Sequence, residues 1–130
     1  MTLVHVFPGQ GSQRVGMGRE VFARFPHLVT QAESKLGWSL RDLCENGPAE
    51  KLSDTRFTQP AVYVVSALNY LALVRDTGDF PTMLAGHSLG EYTALFAGGA
   101  YNFLTGLEIV SERGRLMSEA PSGAMAAVIG

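Results

Sequence analysis

The pentapeptide Gly86-His87-Ser88-Leu89-Gly90 constrains this chain more than any other stretch. It stands between a short apolar run, Thr82-Met83-Leu84-Ala85, and a helix-forming stretch, Glu91 to Ala97. That order reads as strand, turn, helix. A residue at the apex of so sharp a turn is crowded, so its neighbours two before and two after must lack side chains, which the G-x-S-x-G spacing supplies. Ser88 would project from the turn, and the following helix would direct its unpaired N–H groups and positive end back at it. The pattern is short and also suits a turn whose glycines serve packing alone. The strand before it and the helix after it favour a nucleophile elbow, with the Leu89 N–H as the natural oxyanion donor.

The rest of the chain supplies a scaffold of the same kind. Leu3-Val4-His5-Val6-Phe7 is short, apolar and closed by Pro8-Gly9, which predicts a first strand. Val21, Phe22, Phe25 and Leu28 fall at helical spacing interrupted by Pro26, so two short helices fit better than one. Ser39 suits the N-cap of another short helix that Asn46-Gly47-Pro48 ends. From Gln59-Pro60 to Arg75 the apolar residues Val62, Val65, Leu68, Leu71 and Ala72 predict a long buried helix with Pro60 near its first turn. A further helix is expected from about Thr105, as N-cap, to Glu119, and a third strand from Ala124 to Ile129. Strands separated by helical segments need crossover connections, so the fold class is α/β, a parallel sheet covered by helices.

Composition narrows the functions such a fold could serve. The 130 residues can hold one domain at most, and 46% hydrophobic with 17% charged residues is ordinary for a globular chain. A net charge of −2 provides no basic field for nucleic acid or for an acidic membrane surface. The single cysteine, Cys44, cannot form an internal disulfide, and no Cys and His cluster has metal spacing, so no metal and a cytoplasmic setting are expected. The apolar run at 3–7 is too short for a signal peptide or a membrane helix.

Other residues could join Ser88. The loop Phe7-Pro8-Gly9-Gln10-Gly11-Ser12-Gln13 leaves a strand end at the sheet edge where sites form, but lacks the Gly-Lys-Ser/Thr ending of a phosphate loop. It better suits a second oxyanion donor, Gln10. None of the three histidines fits a general base: His5 lies inside a strand, His87 adjoins the serine and should point away from it, and His27 suits the surface. Arg113 and Arg115 lie on a helix whose other face is apolar. Periodicity alone favours solvated surface arginines, while an arginine beside the serine would select an acidic acyl group.

Taken together, the loop at 7–13, Gly86-His87-Ser88-Leu89-Gly90-Glu91 and Glu112-Arg113-Gly114-Arg115-Leu116-Met117 resemble malonyl-CoA:acyl carrier protein acyltransferases of fatty acid and polyketide synthesis. Thr58-Gln59-Pro60-Ala61 and Met125 to Gly130 are similar to family segments as well. The resemblance implies that Ser88 is acylated by malonyl-CoA and the acyl group passes to the phosphopantetheine thiol of an acyl carrier protein. It implies that Gln10 and Leu89 supply the oxyanion hole. Arg113, 25 positions after the serine, would pair with the malonyl carboxylate, while Arg115 stays a surface residue. No bound cofactor is implied, since coenzyme A arrives as the substrate's thioester and the partner carries phosphopantetheine.

The family's histidine and its ferredoxin-like small subdomain lie downstream and are absent from these residues. The resemblance therefore implies the N-terminal part of an acyltransferase domain, with 1–120 as a hydrolase-like core and 121–130 entering the small subdomain. The remainder of that domain is an expected partner. Leu89 is similar to malonyl-selective members, and a start at the first strand is similar to free-standing acyltransferases. Two rivals stand beside this reading: an acyl-carrier-protein hydrolase, for which Arg113 would have no use, and an inactive fragment that only binds a partner.

Overall fold

The computed structural model describes residues 1–130. Strand β1 (Val4–Phe7) and strand β2 (Met83–Gly86) pair in parallel, with Val4 opposite Met83 and Phe7 opposite Gly86. Between them run five helices, α1 (Arg19–Arg24), α2 (Pro26–Leu36), α3 (Leu40–Asn46), α4 (Ala49–Leu52) and α5 (Thr55–Thr77). After β2 come α6 (Gly90–Ala97) and α7 (Phe103–Glu119). The α/β class with a parallel sheet and covering helices is what the sequence predicts.

Helix α5 is the centre of the core. Eleven of its residues are buried, among them Ala61, Val62, Tyr63, Val64, Ala67 and Leu68, because α1, α6 and α7 all pack against it. It is long and apolar enough by composition to cross a membrane, yet 67% of its most apolar window is buried within the fold, as befits a core helix. Asp54 caps it by accepting from the Arg56 N–H at 3.0 Å, and Gly78 ends it at φ 71°, a left-handed conformation that glycine takes without strain. The Tyr63 hydroxyl donates to the Phe103 carbonyl at 3.0 Å, tying α5 to α7, and burial pushes the Tyr63 phenol up.

The sheet is covered on one face only. His5 and Phe7 point towards α5, where both rings meet Tyr70 edge-on at 5.7 and 6.0 Å. The alternate side chains turn the other way: Val6 is 74% and Met83 59% exposed. Parallel sheets are ordinarily buried on both faces, so this bare apolar surface is an unfinished layer.

Several expectations need correction. Ala124 to Ile129 forms no strand: these residues are irregular and exposed, since no neighbouring strand takes up their backbone groups. Helix α7 starts two residues before Thr105, because Asn102 is the N-cap and accepts from the Thr105 N–H at 2.9 Å. Helix α5 starts five residues before Pro60, which stands inside the helix. The short α4 is not among the expected helices, having too few residues for a periodic signal. The break at Pro26, the Ser39 cap and the end of α3 at Gly47 are found as expected.

Candidate active site

The turn from β2 into α6 is as sharp as its glycines require. Ser88 has φ 53°, the only non-glycine residue in the chain with a positive φ. Such a conformation costs on the order of 1 kcal/mol or more and persists only where the surroundings impose it. They do so here through the two glycines. A Cβ on Gly86 would overlap the Gly90 carbonyl and the Glu91 nitrogen, and one on Gly90 would overlap the Phe7 and Pro8 carbonyls. The same closeness seats the elbow on the end of β1, where the His87 N–H donates to the Phe7 carbonyl at 3.1 Å. The Leu89 side chain is fully buried and anchors the turn from below.

The loop after β1 stands beside this elbow. Gly9 is buried against the His87 backbone and imidazole, with no room for a side chain, so the following residue, Gln10, is held close to the turn. The backbone N–H groups of Gln10 and Leu89 donate to no group in the chain. Two unpaired donors at the ends of adjacent segments are what an oxyanion requires.

Arg113 reaches the serine from α7. Its Nη2 donates to Ser88 Oγ at 3.1 Å, its Nη1 donates to Gln59 Oε1 at 2.5 Å, and its guanidinium lies 5.4 Å from the centre of the Tyr92 ring. It makes no ion pair with any carboxylate. Arg115, two residues on, is the opposite case. It is held by Glu112 at 2.7 Å and Glu119 at 2.5 Å on the exposed side of α7, and the Glu112 carboxylate raises its pKa. The reading of Arg113 as a surface residue, favoured by periodicity alone, thus fails, while Arg115 is a surface residue as expected.

Gln59 is the residue the sequence reading missed. It is 1% exposed, accepts from Arg113, and donates through Nε2 to Gln10 Oε1 at 2.8 Å. Gln10 Nε2 in turn donates to Thr55 Oγ1 at 3.0 Å. A buried glutamine in an otherwise apolar helix was the available signal, since such an amide must be paired. No histidine hydrogen-bonds Ser88: His5 faces Tyr70, His87 lies beside Gly9, and His27 is exposed on α2. No cluster of His, Cys, Asp and Glu could hold a metal.

The family described as "Acyl transferase domain" matches residues 4–130. The chain belongs to the acyl transferase domain family. It is similar to the polyketide biosynthesis malonyl CoA-acyl carrier protein transacylase BaeC of Bacillus velezensis, with 52% identity over 98% of this chain and 44% of the relative. The malonyl CoA-acyl carrier protein transacylase of Escherichia coli K12 is 44% identical over 96% of this chain and 42% of its own length. Among solved structures, malonyl CoA-acyl carrier protein transacylase from Burkholderia pseudomallei aligns with a TM-score of 0.90 and 52% identity, over 92% of this chain and 41% of that one. A holo type II PKS acyl-carrier protein in complex with its malonyl-transacylase aligns with a TM-score of 0.85 and 38% identity, over 95% of this chain and 41% of that one. The acyl transferase residues described here thus span less than half the length of the curated relatives they match. The elbow, the loop after β1 and Arg113 come from three separate segments that the fold brings to one end of the sheet.

Proposed function

We propose that this chain forms the N-terminal part of an acyltransferase that moves a malonyl group from coenzyme A to the phosphopantetheine thiol of an acyl carrier protein, in polyketide or fatty acid synthesis. The observation that carries it is the pairing of Ser88, at φ 53°, with Arg113, a cation that has no carboxylate partner of its own. A serine alone would serve any acyl group. An arginine within reach of its Oγ gives a use to a second, free carboxylate on the acyl group.

The steps follow from that arrangement. Ser88 Oγ attacks the thioester carbonyl, and the N–H groups of Gln10 and Leu89 receive the negative oxygen. Arg113 exchanges its contact with Ser88 for the malonyl carboxylate. The coenzyme A thiol leaves, and the carrier's thiol attacks the seryl ester in a second, mirrored step. The serine's proton goes to a general base outside residues 1–130, which we assign to a histidine in the remainder of the domain. Residues 1–120 would form the hydrolase-like core, and 121–130 the start of a passage into a small subdomain. The 44% share of the relatives' length and the bare face of the sheet both support a partial domain. A cytoplasmic setting is part of the proposal, supported by the lone reduced Cys44.

The test is to mix the full-length protein with malonyl-CoA and a carrier protein bearing phosphopantetheine. Malonyl carrier protein is expected, and none with a carrier lacking that group. Release of free malonate at the same rate with either carrier would favour the hydrolase instead.

A further inference from the structure

We propose that Gln59 is a positioning residue that ties the arginine to the oxyanion loop, so that one buried side chain holds both the acyl-selecting cation and Gln10. The inference rests on the function proposed above and adds a residue to that site. Arg113 can only donate hydrogen bonds, and this fixes the direction of everything beyond it. Gln59 must turn its Oε1 to Arg113, which leaves Nε2 to donate to Gln10 Oε1. Gln10 then has Nε2 free for Thr55 Oγ1. Thr55 and Gln59 lie four residues apart on one face of α5, so the first two turns of that helix grip both ends of the Gln10 amide.

The packing allows no slack. Gln59 is 1% exposed, and a Cβ on Gly114 would stand 3.1 Å from the Gln59 Cβ and Cγ, so α7 approaches the glutamine stem as closely as a glycine permits. A shift of Arg113 towards a carboxylate is thereby felt by the loop that carries Gln10. An acyl group with no carboxylate leaves Arg113 resting on Ser88.

Gln59→Glu in the full-length protein separates this role from a merely structural one. The side chain keeps its shape, the Gln10 amide can turn over to donate to it, and Thr55 can donate in its turn. The new carboxylate, however, neutralises Arg113. Malonyl-CoA should then lose about 10- to 100-fold in kcat/KM, mainly through KM, and acetyl-CoA, which needs the Gln10 loop but not the cation, should lose less. Equal losses for the two thioesters, or none, would overturn the proposal. Gln59→Met serves as the second variant should circular dichroism find Gln59→Glu unfolded. It frees Arg113 without a charge, so the malonyl preference should narrow, and an unchanged preference would overturn the proposal. The unsubstituted protein separates the two readings. If it takes no malonyl group, the function and the role of Gln59 both fall. If it does and the variants keep its preference, only Gln59 loses its role.

Discussion

Arg113 Nη2 donates to Ser88 Oγ at 3.1 Å, joining the middle of α7 to the apex of the elbow. The guanidinium is poised between the serine hydroxyl and the Gln59 amide, over the face of Tyr92, and no acid competes for it. Such a cation is costly to keep half-buried unless a ligand uses it.

Arg113→Ala in the full-length protein should therefore weaken malonyl transfer far more than acetyl transfer. Loss of a charge-assisted bond to a carboxylate is worth about 1.5–3 kcal/mol, or about 10- to 100-fold in kcat/KM. The check is a comparison of the two thioesters. A matching loss for both would reduce Arg113 to a structural part.

The glycines of the elbow make a stability prediction. Gly90→Ala forces a methyl group into the Phe7 and Pro8 carbonyls, neither of which can turn aside. A loss of about 1–3 kcal/mol or more is expected in denaturant unfolding. Gly98→Ala is the control, because its nearest neighbours stand at 3.3 and 3.4 Å and its backbone has an ordinary negative φ. Equal behaviour of the two variants would refute the steric account of the turn.

Cys44 offers a probe of the core. It is fully buried in α3, and burial pushes its thiol up to about 12. The reactive thiolate is therefore scarce at pH 8, and a thiol reagent should label Cys44 only after denaturant is added. Rapid labelling of the native protein would mean that the packing around α3 is looser than described.

The bare face of the sheet leads to a prediction for residues 1–130 on their own. Val6, Phe80 and Met83 are 74, 73 and 59% exposed, and a two-stranded parallel sheet gains little by itself. The isolated chain should self-associate, bind a hydrophobic dye and turn over no malonyl-CoA, since no histidine meets Ser88. A monomeric, cooperatively unfolding and active 130-residue chain would contradict both the uncovered-face account and the downstream base.

Much of this was legible in the sequence because it depends on local rules. The elbow follows from glycine spacing, and the cap at Ser39 and the break at Pro26 follow from single residues. What escaped depends on tertiary context. Thr105 is the expected cap and Asn102 the observed one, since both residue types cap helices and only the path of the chain decides between them. The strand expected at 124–129 has the right composition and no partner. Arg113 and Arg115 are indistinguishable by periodicity, and only Glu112 and Glu119, one turn away from Arg115, mark which of them is satisfied at the surface. Gln59 carried a signal that pattern reading undervalues: a polar side chain on a buried helix face.

The claim that Ser88 is the acylated residue is tested most directly by intact-mass measurement of the full-length protein after brief mixing with malonyl-CoA, beside its Ser88→Ala variant. One malonyl adduct on the unsubstituted protein, mapped to the peptide that contains Ser88 and missing from Ser88→Ala, is the predicted result. An adduct that persists in Ser88→Ala would place the nucleophile elsewhere and contradict the account.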